Sequence, residues 1–190
     1  MSAPSFPGAE DDWSISPFVR RSLAQIELPR AALVLDIPCG YGRHAIWLAK
    51  QGYQVVAADL DRERVVATQL ALVAQTDTAP ARCLLADCEA ELPFREAVFD
   101  MTIIVHYYSA DILGMARRTL RPNGYLVFET FGAQGQNWRS LPQAGVIPRI
   151  LEQGFEVIHL VERLVGPSSN HAVVRAMAKK IDGKSGGVLY

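Results

Sequence analysis

Val34 to Asp61 reads VLDIPCGYGRHAIWLAKQGYQVVAADLD. It completes an apolar run, Ala32 to Ile37, broken by a single acid, Asp36. A strand buried on both faces of a sheet has this composition. Gly40 and Gly42 follow, then a stretch of helical character to about Gln51, with Gly52 placed to cap it. Gln54 to Ala58 is a second buried strand, and Asp59 stands at its tip, 17 residues after Gly42. Strand, glycine loop, helix, strand and acid together make half of a nucleotide-binding site.

Each part has a physical task. Glycines let the backbone approach a ligand where a side chain would collide. The helix after the loop offers unpaired N–H groups. An acid at the next strand tip accepts hydrogen bonds from the hydroxyls of a ribose. Two cofactor classes fit. Gly40-x-Gly42-x-x-Ala45 matches the dinucleotide pattern, a reading that makes the chain a nicotinamide oxidoreductase. Asp36, four residues before Gly40, opposes a pyrophosphate and suits a ligand that carries positive charge.

The alternation of strands and helices continues on both sides of this stretch. Ser16-Pro17 opens a helix, with Ser as N-cap and Pro at the first helical position, and Pro29 ends it. Asp61 caps a longer helix carrying Val65, Leu70, Leu72 and Val73. Arg82 to Ala86 is a third strand, followed by Asp87, and Val98 to Val105 is a fourth. A helix from about Ser109 to Leu120 precedes a Pro122-Asn123-Gly124 turn and a fifth strand, Tyr125 to Thr130. A helix around Ile147 to Gln153 follows. Phe155 to Val165 and Ala172 to Ala178 then have no room for a helix between them, so they form an antiparallel hairpin. The expected architecture is α/β: a seven-stranded, mostly parallel sheet ending in that hairpin, with helices on both faces. Residues 1–15 read as a flexible lead-in, 16–180 as a single domain and 181–190 as a flexible tail.

Composition bounds the function. The chain has 190 residues, 49% hydrophobic and 21% charged, as a soluble globular domain does. A net charge of −1 speaks against a broad nucleic-acid face, and Arg117, Arg118 and Arg121 read as a solvated helix end. Cys39, Cys83 and Cys88 have neither disulfide-framework nor metal-ligand spacing, and no metal site is expected. Reduced thiols, an acidic N-terminus unlike a signal peptide and the lack of a long apolar run lead us to expect a cytoplasmic protein without a membrane span.

The loop Asp36-Ile37-Pro38-Cys39-Gly40-Tyr41-Gly42 resembles the first motif of the class I S-adenosylmethionine-dependent methyltransferases, D-x-G-x-G-x-G, with Pro38 in place of the first glycine. Proline fixes φ there and removes an N–H. The resemblance runs in order from about residue 32 to 131, and more weakly to 178. Asp59 matches the family's ribose-binding acid, with Leu60 beside it in the cofactor set. Asp87-Cys88 matches the place where an acid and the next N–H read the adenine edge. Leu92-Pro93-Phe94, Phe99-Asp100 and Leu120-Arg121-Pro122-Asn123-Gly124-Tyr125-Leu126 match later landmarks, the last with Asn for one glycine. The Cys-Gly-x-Gly-Arg-His loop and Glu129-Thr130-Phe131 resemble small bacterial members akin to tellurite-resistance methyltransferases.

The resemblance implies a Rossmann-like methyltransferase fold, S-adenosylmethionine as cofactor and direct methyl transfer to an acceptor. It implies cofactor contacts from Asp36, Pro38, Gly40, Gly42, Asp59, Leu60, Asp87, Cys88 and His106. His106 and Tyr107, where the fourth strand ends, are the candidates for a general base. The N/D-P-P-Y/F box of amino-methylating nucleic-acid enzymes is absent, and His106-Tyr107-Tyr108-Ser109 stands there instead. A small-molecule acceptor is therefore expected, covered by residues 1–28 and by 133–146. The alternative is a non-catalytic module of the same fold that binds the cofactor or a partner.

Overall fold

The computed structural model of the chain describes residues 15–75, 79–90, 92–131 and 138–181. Thirteen elements follow one another: α1 (Pro17–Leu23), β1 (Leu33–Asp36), α2 (Arg43–Lys50), β2 (Gln54–Asp59), α3 (Arg62–Val73), β3 (Ala81–Leu85), β4 (Phe99–Val105), α4 (Ala110–Thr119), β5 (Leu120–Glu129), a 3-10 turn (Trp138–Ser140), α5 (Val146–Glu152), β6 (Phe155–Val165) and β7 (His171–Lys180). The strands form one seven-stranded sheet in the order β3-β2-β1-β4-β5-β7-β6. The pairs from β3 through β5 are parallel, and β7 lies antiparallel between β5 and β6. This is the expected mostly parallel sheet with its terminal hairpin.

Both faces are covered. On one, Phe18 and Val19 of α1, Ala45 and Leu48 of α2 and Leu72 of α3 pack over Val34, Val55, Met101, Ile103, Val127 and Met177. On the other, Ile112, Leu113 and Ala116 of α4 and Ile147 and Leu151 of α5 pack over Leu35, Ile104, Leu126 and Phe128. The helix starts follow local chemistry. Ser16 Oγ accepts from the Phe18 and Val19 N–H groups, and Asp61 Oδ1 accepts from Glu63 and Arg64. Residues 1–14 and 182–190 fall outside the described residues; Ile15, assigned to the lead-in by sequence, is buried.

Three details differ from the sequence reading. α1 stops at Leu23, well before Pro29. In α3, Val65, Thr68 and Leu72 share the buried face, while Leu70 and Val73 are exposed; the run of apolar residues is wider than the stripe that packs. The Pro122-Asn123-Gly124 turn does not precede β5 but lies inside it. Leu120 pairs with Phe99 and Tyr125 with Met101, so residues 121–124 bulge opposite Asp100 alone. Asp100 holds the bulge: its Oδ1 accepts from Arg121 Nη1 at 2.7 Å and its Oδ2 from the Leu33 N–H at 2.8 Å. Asn123 takes the left-handed backbone at φ 63°.

A Cβ at Gly124 would stand 3.0 Å from the Arg121 carbonyl oxygen, 3.1 Å from that of Asp100 and 3.2 Å from that of Phe99. Backbone atoms cannot swing aside. Gly124→Ala is expected to destabilise the fold by about 1–3 kcal/mol. Gly114, inside α4, meets nothing within 4 Å, so Gly114→Ala is expected to stabilise by about 0.5–1 kcal/mol. Thermal unfolding followed by circular dichroism checks both, and shifts of the same sign would contradict the bulge geometry.

Candidate functional site

The glycine loop leaves β1 at the carboxyl edge of the sheet, beside the tips of β2 and β4. Ligands of open α/β sheets bind at this edge, where strand order reverses. The loop is pinned from both sides. The Ile37 N–H donates to the Ile103 carbonyl and the Cys39 N–H to the Ala58 carbonyl. Pro38, which has no N–H, sits between them, and the Ile37–Pro38 peptide is cis.

Asp59 holds the centre of the loop. Its Oδ2 accepts from the Gly40 N–H at 2.8 Å and its Oδ1 from the Asp61 N–H at 2.9 Å. A carboxylate has about four acceptor positions; these two bonds use two of them, on a residue that is 4% exposed. Thr68, buried in α3, donates from Oγ1 to the Gly40 carbonyl at 3.2 Å. The two loop glycines are both left-handed, at φ 56° and 78°, yet they do different things. A Cβ on Gly42 would collide with Thr68, its Cγ2 only 2.3 Å away, whereas a Cβ on Gly40 meets nothing within 4 Å. Gly42 lets α3 close on the loop. Gly40 faces open space, the cradle a ligand would fill.

Asp36 is 1% exposed, and its Oδ2 accepts from the Ala45 N–H at 3.0 Å. Burial pushes its carboxyl up to about 8; the Ala45 N–H and the Arg43 charge pull it back, and Asp59 adds to the rise. His44 moves the other way. Burial lowers it to about 3, with the charges of Arg43 and His106 adding. Its Nδ1 lies 4.0 Å from Asp36 Oδ1, and its Nε2 accepts from the Ser16 N–H at 3.3 Å. The histidine is neutral, with its proton on Nδ1 facing Asp36.

These shifts set a pH window. A group raised on folding stabilises most below its ordinary value, 3.8 for Asp36, and that contribution is lost as pH climbs to about 8. A group lowered on folding stabilises most above its ordinary value, 6.5 for His44, and loses this as pH falls towards 3. Between pH 6.5 and 8 only Asp36 of this pair titrates. The ligand-free protein is therefore expected to lose stability as pH rises across that window, and Asp36→Asn to flatten the loss. Thermal scans in a buffer series measure this; parallel slopes for wild type and variant would contradict it.

The remaining predicted residues stand along the same edge. Leu60, next to Asp59, is 64% exposed; Leu85 at the tip of β3, not among the predicted residues, is 51% exposed. Such large apolar side chains at strand tips offer a face to a flat ring. Asp87 is exposed and its Oδ1 accepts from the Glu89 N–H at 2.9 Å, while Cys88 is buried. His106 follows β4 in the left-handed region at φ 61°, its N–H donates to the Glu129 carbonyl, and its ring lies 5.1 Å from that of Phe131. Strained backbone of this kind collects at working sites. The Tyr107 hydroxyl donates to Glu89 Oε1 at 2.5 Å, and burial with that carboxylate pushes its pKa far up. Burial likewise pushes the Cys39 thiol up, with Asp36 and Asp59 adding to the shift, which disfavours the thiolate that a nucleophile needs.

Sequence reasoning missed one cluster. Glu129, at the tip of β5 and 3% exposed, accepts from Ser16 Oγ at 2.5 Å and from Arg175 Nε at 2.6 Å. With the Ser16–His44 bond this ties the start of α1 to both the glycine loop and β7. An acid closing an apolar strand was the available signal, but its partners come from distant parts of the chain. Of the expected cover, residues 1–14 and 133–137 lie outside the described residues. The described part of 138–146 is fixed to the start of β7: the Ala172 N–H donates to the Pro142 carbonyl, and the Trp138 and His171 rings meet at 4.9 Å. Among the described residues no His, Cys, Asp and Glu cluster suits a metal, and no helix is long and apolar enough to cross a membrane.

Comparison with known proteins places this arrangement. A family model described as "Methyltransferase domain" matches residues 35–128, from β1 to β5. An S-adenosylmethionine-dependent methyltransferase of Methanosarcina mazei superposes with a TM-score of 0.66 at 17% identity, covering 90% of this chain and 100% of that one. A TehB-like S-adenosylmethionine-dependent methyltransferase of Corynebacterium glutamicum gives a TM-score of 0.64 at 24% identity, covering 86% and 87%. The cyclase SpnF gives a TM-score of 0.69 at 16% identity, covering 86% and 80%. No curated protein matches in sequence. The strand order, the motif order and these likenesses agree: the chain has the class I S-adenosylmethionine-dependent methyltransferase fold.

Proposed function

We propose that the chain binds S-adenosylmethionine at the carboxyl edge of β1, β2 and β4 and transfers its methyl group to a small-molecule acceptor. The observation that carries this reading is Asp59, fixed by the Gly40 and Asp61 N–H groups beside the open cradle at Gly40. In it, Asp59 takes the ribose hydroxyls and Leu60 flanks the adenine. Asp87 and the Cys88 N–H read the adenine edge. Gly40 gives the backbone its close approach, and Gly42 lets α3 close on the loop behind it. Asp36 and its neighbour Pro38 lie under the methionine end, where Asp36, being buried, acts by charge across the loop. A cation beside Asp36 lowers its raised pKa, so binding releases a proton and tightens as pH approaches about 8.

When bound, S-adenosylmethionine supplies a methyl group already activated by the sulfonium. The protein's task is alignment, which in favourable cases supplies about 7–11 kcal/mol of the barrier. His106 is the group to take a proton from an acceptor that must lose one; Tyr107, engaged with Glu89, orients. The near-neutral charge supports a small acceptor over nucleic acid. The narrower likeness to tellurite-resistance methyltransferases rests on the Cys-Gly-x-Gly-Arg-His loop and the TehB-like neighbour.

The test is transfer of labelled methyl from S-adenosylmethionine into cell extract divided into small-molecule, protein and RNA pools. Label in the small-molecule pool supports the proposal; label in RNA or protein alone contradicts the acceptor class. The second reading is a non-catalytic module of this fold that binds the cofactor or a partner; one architecture hosts several functions, and the cyclase SpnF shares this one. Cofactor binding without label in any pool would select it.

A further inference from the structure

Away from the glycine loop, a groove of about 220 Å³ runs between α1 and the β6–β7 hairpin. Phe18 and Arg21 form its α1 wall; His159 and Val161 of β6 and Arg175 and Met177 of β7 form its floor. The polar lining has one sign. Arg21 and Arg175 bring charge, and among the described residues no Asp or Glu lines the groove. The chain as a whole carries −1, so this is a local concentration rather than a property of the surface. The nearest acid in sequence, Glu162, is turned to the opposite face, where its Oε1 accepts from the Gly145 N–H at 2.7 Å.

The two arginines have capacity to spare. Arg175 gives only Nε to Glu129, at 2.6 Å, and among the described residues its two terminal nitrogens have no partner. Arg21 has neither an ion pair nor a side-chain hydrogen bond among the described residues. Glu129 holds the Arg175 stem in place, as a buried acid behind a substrate-facing arginine would. Ser22 and Gln25 add uncharged polar groups to the lining, Phe18, Val161 and Met177 are its apolar part, and the Phe18 ring lies 5.6 Å from that of His159.

We propose that this groove is a second small-molecule site, one that takes a compact carboxylate with an apolar body. The planar fork of a guanidinium matches a carboxylate, while Phe18, Val161 and Met177 cover the body. The volume is below the about 300–1,000 Å³ of sites for drug-sized ligands, so the ligand is small. None of Asp36, Gly40, Gly42 and Asp59 lines this groove.

Benzoate is the probe, titrated into the full-length isotope-labelled protein and followed by backbone amide NMR, with benzamide and inorganic phosphate alongside. The expected result is saturable shifts at Arg21, His159, Val161 and Arg175, with benzoate at least about tenfold tighter than benzamide or phosphate. Arg21→Gln weakens benzoate about tenfold, and Val161→Trp fills the groove and removes binding, both with the wild-type spread of resonances. Val161 is half exposed, so that variant folds without repacking the core. Benzamide binding as tightly as benzoate would overturn the charge recognition. Phosphate binding as tightly would overturn the carboxylate class. Shifts centred on Gly40 and Asp59, or affinities unchanged in both variants, would overturn the site.

Discussion

Asp59→Ala is expected to lower affinity for S-adenosylhomocysteine about a hundredfold or more, with the sheet intact. Two losses combine. The first is the ribose contact, in which hydrogen bonds to a charged acceptor are worth about 1.5–3 kcal/mol each. The second is the loop itself: Asp59 is what holds the Gly40 N–H and the Asp61 N–H in position. Without it the cradle loses its shape before any ligand arrives. About 1.4 kcal/mol corresponds to tenfold, so either loss alone approaches that figure and both together exceed it. Isothermal titration at fixed pH measures the change, with far-ultraviolet circular dichroism to verify the fold. A change of less than about threefold would remove Asp59 from the site.

Gly42→Ala and Gly40→Ala are expected to fail in opposite ways, although the residues are two apart in one loop. At Gly42 the new methyl would enter Thr68, which is fully buried and cannot retreat, and φ is 78°. Overpacking costs about 1–3 kcal/mol, and left-handed backbone adds roughly 1–2 kcal/mol for a residue with a Cβ. Loss of stability dominates, and the melting temperature falls by several degrees. At Gly40 the methyl meets no protein atom within 4 Å, so only the backbone term applies. It occupies the space assigned to the ligand instead, and affinity falls by more than stability does. Paired thermal unfolding and titration distinguish the two. Equal melting temperatures with equal affinities would mean that the loop neither packs nor binds as described.

Much of the fold is legible in the sequence because a parallel sheet needs near-continuous apolar strands, and β1, β2 and β4 are such runs. The terminal hairpin follows from having no residues for a helix between β6 and β7. The bulge in β5 is not legible. Pro-Asn-Gly reads as a turn locally, and only Asp100, contributed by β4, shows that the strand continues through it. Local propensity describes the bend, and tertiary pairing decides what the bend belongs to. In α3, four apolar residues suggest four core positions, but helical geometry buries only those in line with Thr68.

The site divides along the same line. Asp36, Gly40, Gly42 and Asp59 are legible because loop chemistry fixes their spacing within one strand-loop-helix-strand unit. That Asp59 braces Gly40, and that Gly42 serves packing against Thr68, depend on side-chain directions that spacing does not carry. Ser16, His44, Glu129 and Arg175 come from four separate elements, and no local pattern unites them.

Everything above turns on whether this edge of the sheet binds S-adenosylmethionine. Equilibrium dialysis of the full chain against tritiated S-adenosylmethionine at pH 8, with NAD as competitor, tests it most directly. The expected result is saturable binding of one molecule per chain, displaced by S-adenosylhomocysteine, unaffected by NAD and lost in Asp59→Ala. Absence of binding, or displacement by NAD at comparable concentration, would contradict it.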